Sequence, residues 1–292
     1  MRKIKSYLKL MRIKHYIKNL LIFLPLIFSL SFYNTSYVIT TLVGFILFSL
    51  TCSVVYIIND INDVEKDRNH PEKCTRPIAS GDVKIKEAYV LAIFIVAIVI
   101  AIGIIAKIAY QALAVLLVYI LLNIAYSKKL KNIPLIDIII LVLGFILRVI
   151  YGAIIINVAV SNWLYLTIIS FSFYLSLGKR RNEMQKSEEN KASTREVLKY
   201  YTKNFLDKNM YMCLALTIVF YAMWCVDTIN IEKFGNNLIF TVPLLMIICM
   251  KYSSIIEGDS YGDPVEVLLA DKILIGLVVL YCICMGLIIF IK

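Results

Sequence analysis

Between Glu87 and Lys107 the chain runs for nineteen residues without a charged or amide side chain, and apolar stretches of this length recur along it. A helix of about 20 residues, rising 1.5 Å per residue, crosses the roughly 30 Å hydrocarbon core of a bilayer. In lipid, backbone N–H and C=O groups must be satisfied internally, which leaves helices as the solution for apolar runs of this length. Hydropathy divides the 292 residues into about nine spans, near 20–35, 38–59, 87–106, 108–126, 134–156, 162–178, 210–229, 237–251 and 272–291. Only Lys107 parts the third span from the fourth, which requires a tight turn. A hydrophobic share of 60% and a mean hydropathy of +0.80 exceed what a soluble domain of this size needs. The expectation is an all-α integral membrane protein with about nine transmembrane helices around a central cavity. It forms a single domain over 1–292, because no low-complexity linker interrupts it.

The net charge of +11 is unevenly placed. Lys and Arg crowd the N-terminal segment and the loops after spans two, four, six and eight, whereas the opposite side receives Lys107, Lys233 and Lys292. That asymmetry predicts a cytoplasmic N-terminus in the cell membrane and puts the long polar loops, 59–87 and 179–209, on the cytoplasmic side. The charge is a topology and lipid-headgroup signal, and nucleic acid is not an expected partner. Residues 1–19 are basic and amphipathic with no small-residue cleavage site after them, and read as an interfacial helix. The seven cysteines form no CxxC pair and read as small buried hydrophobes. His15 and His70 are too few and too far apart for a histidine metal site.

The end of the second span reads Asn59-Asp60-Ile61-Asn62-Asp63-Val64-Glu65-Lys66-Asp67. Acids this close to hydrocarbon are costly and mark a functional site. On a helix Asn59, Asp63 and Asp67 fall at i, i+4 and i+8, about 40° apart per step, with Asp60 close to that arc. Hard oxygen ligands in such a strip suit Mg²⁺ held by one or two carboxylates and by substrate phosphates. A solvated acidic helix end is the plain alternative, but Glu65 and Lys66 fall off the arc and leave it uninterrupted. Arg68, His70, Lys73 and Arg76 follow, then Pro77-Ile78-Ala79-Ser80-Gly81. Carboxylates followed by fixed cations are what a metal-bound diphosphate requires, although Arg68 and Lys73 are also explained by loop charge alone. Arg76, preceding Pro77, is expected in an extended conformation.

The loop after span four carries Tyr126, Lys128, Lys129 and Lys131, and Asp137 enters span five. Arg148 lies eleven residues on, near the same helical face, and an intramembrane Arg calls for a polar cavity, an anion, or an acid on another helix. Span six ends in Gly178-Lys179-Arg180-Arg181-Asn182-Glu183, of which Lys179, Arg180 and Glu183 sit at the membrane edge. The Gly-rich acidic loop 257–266 does not fit EF-hand spacing and reads as a turn with a helix N-cap at Asp263.

The acidic motif at 59–67, the Arg76-Pro77-Ile78-Ala79-Ser80-Gly81 element, Arg12-Ile13-Lys14-His15-Tyr16-Ile17-Lys18-Asn19 and the Tyr126/Lys131 loop together resemble the UbiA superfamily of intramembrane prenyltransferases. The resemblance covers essentially the whole chain and implies nine helices and Mg²⁺ held by Asn59, Asp60, Asp63 and Asp67. The chain departs from the usual pattern in two places. The second DxxxD at the end of helix six is replaced by Gly178–Glu183, and the step before the Arg-Pro element is His70-Pro71-Glu72-Lys73. These departures, with Leu147-Arg148 and Asp263-Pro264-Val265-Glu266-Val267-Leu268-Leu269, are similar to one branch of the family that joins 5-phosphoribosyl diphosphate to a polyprenyl phosphate. The charge logic agrees, because three anionic groups want one acidic metal strip and more fixed cations.

The resemblance implies transfer of a phosphoribosyl group to a polyprenyl phosphate in cell-envelope synthesis. Asn59, Asp60, Asp63 and Asp67 would serve as the catalytic metal-holding group. Arg68, Lys73, Arg76, Tyr126, Lys131, Arg148, Lys179, Arg180 and Glu183 would bind substrate. Prenyl transfer from an allylic diphosphate is the enzymatic alternative, and a transporter or lipid-binding protein that needs no Mg²⁺ is the non-catalytic one. Oligomeric state is open.

Overall fold

The computed structural model describes residues 2–69, 73–190, 196–258 and 263–290. Within these there are helices and turns and no strand. In chain order the α-helices are α1 (Arg2–Leu10), α2 (Leu24–Phe28), α3 (Thr35–Asn62), α4 (Val64–Arg68), α5 (Ile85–Ile105), α6 (Tyr110–Lys128), α7 (Ile136–Ile155), α8 (Asn162–Asn190), α9 (Lys203–Cys225), α10 (Thr228–Phe234), α11 (Val242–Glu257), α12 (Pro264–Ala270) and α13 (Lys272–Phe290). Among the described residues, seven helical segments are long and apolar enough to cross a membrane: α3, α5, α6, α7, α9, 236–257 and α13.

The two other expected spans differ from that picture for separate reasons. The 20–35 stretch is broken into a 3-10 helix (Ile13–Phe23), α2 and a 3-10 turn (Ser31–Tyr33), with Leu30 in the left-handed region at φ 59°. Residues 162–178 open the 29-residue α8, where Thr167, Ser170, Ser172 and Ser176 dilute the apolar character. Three of these hydroxyls bond back to carbonyls of the preceding turn, Thr167 to Trp163, Ser170 to Leu166 and Ser172 to Ile168, at 2.6–2.8 Å. Such back-bonding lets a polar group sit in an apolar setting without an outside partner. The N-terminal segment also departs from the expected continuous helix. α1 stops at Leu10, and Arg12 takes a left-handed backbone (φ 54°, ψ 47°) before the 3-10 helix begins.

The chain divides into two compact units, and the division passes through α7. The first comprises residues 1–131 and 143–159. Its core joins Ile22, Leu47, Phe48, Cys52, Ala112, Leu116, Tyr119 and Tyr151. A second cluster packs Leu10 against Ile57, Ile61, Ile78, Val83 and Ala88. Close approach is obligatory at Gly152, where an added Cβ would stand 2.2 Å from the Ile22 carbonyl oxygen. The turn at Lys107 is as tight as expected. Ile108 N–H bonds Gly103 O (3.0 Å), Lys107 N–H bonds Ile104 O (3.1 Å), and Lys107 is left-handed at φ 51°. This is a Schellman cap with lysine where glycine is usual.

The second unit holds residues 132–142 and 160–292. In it α8 packs along α9, and α11 packs on both and on α13. Tyr174 on α8 donates to the Cys249 carbonyl (2.9 Å) and meets Ser253 Oγ (2.8 Å), both on α11. Tyr221 on α9 ties Thr241 (2.6 Å) to Tyr281 (2.7 Å).

Candidate active site

In the first unit the membrane helix α3 runs directly into the acidic motif. Asp63 sits at the break before α4 (φ −97°, ψ 8°), yet its N–H still bonds Asn59 O (3.0 Å) and Asp67 N–H bonds Asp63 O (2.8 Å). The i, i+4, i+8 register of Asn59, Asp63 and Asp67 therefore survives the break. Asp60 and Asp67 are buried, Asn59 and Asp63 half-buried, and Glu65 and Lys66 exposed off the arc.

Each carboxylate has a cation. Arg76 Nη1 bonds Asp67 (2.7 Å) and Asp60 (3.2 Å), Arg12 Nη2 bonds Asp60 (2.6 Å), and Lys131 Nζ stands 3.4 Å from Asp63. The Arg-Pro element delivers Arg76 through a compact turn in which Ser80 N–H bonds Arg76 O (2.8 Å) and Val83 N–H bonds Pro77 O (2.9 Å). Gly81 supplies the left-handed residue at φ 83°, and Ile78 and Val83 bury the turn's underside. Arg68 is exposed, and its Nε reaches Ala79 O at 3.4 Å. Lys73 is half-buried on the 3-10 turn Lys73–Thr75, and Tyr126 is half-buried in the last turn of α6. His70, Pro71 and Glu72 lie outside the described residues, as do residues 259–262 of the 257–266 loop.

Among the described residues no three His, Cys, Asp or Glu side chains converge closely enough to hold an ion by themselves. The donor set nonetheless fits a hard cation that brings phosphate oxygens of its own. Asn59 Oδ1 is buried and accepts no hydrogen bond among the described residues, an acceptor left open at the head of the acidic arc. Asp63 and Asp67 follow it in register.

Arg148 differs from expectation. It lies in the first unit, in the C-terminal half of α7. Its guanidinium is enclosed by protein acceptors. Nε donates to Asn19 Oδ1 (2.7 Å), Nη2 to Tyr119 Oη (3.2 Å) and Cys52 Sγ (3.7 Å), and Nη1 to the Gly144 carbonyl. The Phe48, Tyr119 and Phe145 rings surround it at 5.2–5.9 Å. With 5% of its surface exposed, it ties four segments together and presents no free face to a substrate anion.

In the second unit Asp137 takes the arginine that the sequence left unassigned to it. Arg180 Nε bonds Asp137 (2.5 Å) and its Nη1 bonds Glu183 (2.7 Å), with Arg180 and Asp137 both fully buried. Tyr201 donates to Asp137 (2.6 Å) and accepts from Leu135 N–H (2.7 Å). Burial, then the Asp137 carboxylate, pushes the Tyr201 hydroxyl above its ordinary range, which keeps it a donor. Lys179 pairs with Asp263 (3.3 Å), and Arg181 with Asp207 (2.6 Å) and the Ile256 carbonyl (3.1 Å). Lys179 and Arg180, expected to bind substrate with Glu183, each meet carboxylates here, Arg180 fully buried and the Lys179 side chain 24% exposed. Asp263 caps α12 through Val265 N–H (3.0 Å), as expected.

Two residues of the site were not selected from sequence, Arg12 and Asn19. Both belong to the 12–19 motif, so the signal was present, but their partners Asp60 and Arg148 lie 48 and 129 residues away.

In the first unit an apolar 28-residue helix ends in carboxylates paired with cations, an arrangement that defines a membrane-edge site for anionic substrates. The chain belongs to the UbiA prenyltransferase family, whose profile matches residues 20–261. It is an integral membrane transferase of that family. The chain is 31% identical over 285 residues to the decaprenyl-phosphate phosphoribosyltransferase of Corynebacterium glutamicum, covering 96% of this chain and 86% of that one. It is 32% identical over 242 residues to the enzyme of the same name from Mycolicibacterium smegmatis, covering 80% and 74%. Its fold is similar to that of a UbiA homolog from Archaeoglobus fulgidus bound to GPP and Mg²⁺, at a TM-score of 0.69 and 18% identity, covering 97% and 99%.

Proposed function

We propose that this protein transfers a 5-phosphoribosyl group from phosphoribosyl diphosphate to a polyprenyl phosphate, releasing diphosphate, in an Mg²⁺-dependent reaction. The observation that carries the reading is the arc of Asn59, Asp63 and Asp67 interleaved with Arg76 and Lys131. The names of the relatives support the choice of substrates.

Asn59, Asp63 and Asp67 would hold Mg²⁺, which when bound neutralises charge on the leaving diphosphate, and Asp60 lies beside them. Arg76 and Lys131 then have a second set of acceptors and turn from carboxylate to phosphate oxygens. Arg68 and Lys73 flank the same loop and draw the anionic donor toward it. Tyr126, close in sequence to Lys131, supplies a hydroxyl for a phosphate or ribose oxygen. As the C1–O bond to diphosphate lengthens, positive charge grows on the ribose ring, and a lipid phosphate oxygen attacks C1 from the opposite face with inversion. That oxygen is already anionic near neutral pH, so no strong general base is needed. The reaction belongs at the cell membrane with the 59–87 loop on the cytoplasmic side, where a soluble phosphosugar is available.

The test uses membranes containing the protein, Mg²⁺, polyprenyl phosphate and ribose-labelled phosphoribosyl diphosphate. Label should pass into the organic phase, vanish with EDTA, and fall by at least about a hundredfold in Asp63→Asn and Asp67→Asn. Consumption of an allylic diphosphate in place of the phosphosugar would move the chain to prenyl transfer. Wild-type turnover by both variants would end the metal-arc reading.

A further inference from the structure

Asp60 and Arg12 have a separate relation to the site. We propose that Asp60 is the counter-ion of an arginine pair and not a metal ligand, and that Arg12 is a second diphosphate-binding guanidinium beside Arg76. The inference rests on the function proposed above and names a further residue of that same site.

Both arginines converge on one atom. Arg12 Nη2 and Arg76 Nη1 contact the same Asp60 Oδ1, at 2.6 and 3.2 Å, so the two nitrogens lie no more than 5.8 Å apart. Exposure sets the order of the layers. The Asp60 side chain is 3% exposed, whereas Arg12 and Arg76 are 24% and 28% exposed. The carboxylate therefore lies behind, and the two guanidiniums stand in front with N–H groups to spare. A carboxylate in that position has little room for an ion with its waters and substrate oxygens. The charges agree. Once Asp67 is committed to a metal, Arg12, Arg76 and Asp60 carry a net positive charge facing outward. Two forked donors at this spacing match the several non-bridging oxygens of a diphosphate.

The backbone at Arg12 adds an independent observation. Its φ of 54° and ψ of 47° lie in the left-handed region, which glycine adopts without penalty and arginine does not. The side chain is held regardless. Its guanidinium carbon lies 4.8 Å from the Tyr56 ring centroid, one helical turn before Asp60 on α3. Ser53, one turn earlier still, donates to Met11 O at 2.9 Å. The strained turn is anchored so that the guanidinium reaches Asp60.

The experiment measures thermal stabilisation of the purified full-length protein in nanodiscs by inorganic diphosphate and Mg²⁺, titrated separately. Arg12→Gly suits the left-handed backbone, so it should retain the ligand-free midpoint while weakening diphosphate binding at least about tenfold; Arg12→Lys should fall between it and wild type. Asp60→Asn should weaken diphosphate binding and leave the half-saturating Mg²⁺ concentration unchanged, whereas Asp63→Asn should raise it. Wild-type diphosphate affinity in Arg12→Gly, or in Arg12→Lys if the glycine variant does not fold, would reduce Arg12 to a staple between the N-terminal segment and α3 and overturn the proposal. A raised Mg²⁺ requirement in Asp60→Asn would return Asp60 to the metal set and overturn it equally. No diphosphate-dependent shift in the wild type would refute the proposed function itself, a result distinct from the other two.

Discussion

Arg148 and Arg180 show how little a buried charge reveals of its partner before the fold is known. Arg148 is surrounded by neutral acceptors and aromatic faces, and Arg180 by two carboxylates. The planar fork of arginine makes the first arrangement work, since one group reaches Asn19, Tyr119 and Gly144 in different directions. A lysine has a single ammonium point and cannot. Arg148→Lys is therefore expected to lose about 2–3 kcal/mol, read as a lower unfolding midpoint in detergent, without a selective rise in KM for either substrate. A raised KM with unchanged stability would show instead that Arg148 meets a substrate anion. At the acidic arc, by contrast, local spacing was enough. Asn59, Asp63 and Asp67 keep the i, i+4, i+8 register read from sequence, because hydrogen bonds within the helix and across its break depend on near neighbours.

At the scale of elements, the Lys107 turn joins α5 to α6 through a left-handed lysine. Its two cap hydrogen bonds would also form around glycine, which adopts this backbone without the Cβ penalty. Lys107→Gly should raise the midpoint by the equivalent of about 1 kcal/mol. Asn157→Gly, at the matching cap of α7 (φ 53°), should gain less because asparagine tolerates that region. Thermal scans of both variants check the pair. Turn length at Lys107 was legible from the apolar runs on either side. The breaks at Arg12 and Leu30 were not. Neither site carries glycine or proline, and what holds the chain at Arg12 is a contact with α3, supplied by residues 48 positions distant. The same limit explains why the 1–19 segment reads as one amphipathic helix from its own pattern and yet stops at Leu10.

For the molecule as a whole, the placement of basic residues predicts which side each loop occupies. Trypsin added to sealed inverted vesicles should cut at the exposed Lys66, Arg68 or Lys199, and in right-side-out vesicles at the exposed Lys107. The reverse pattern would invert the topology and detach the acidic arc from a cytoplasmic substrate. The buried Arg148 and Asp137 also bear on the order in which a ribosome delivers this chain to the membrane. Asn19, Cys52, Tyr119 and Gly144 all emerge before Arg148, so a guanidinium that cannot shed its charge arrives where its acceptors already exist. Asp137 emerges before Arg180 and Tyr201 and has to wait for both. A carboxyl group in hydrocarbon can wait as its neutral acid, whereas a guanidinium cannot. N-to-C synthesis thus presents Arg148 and Asp137 in the order their chemistry tolerates, and a circular permutant that made α7 first would leave Arg148 bare in lipid until the rest of its cage was translated.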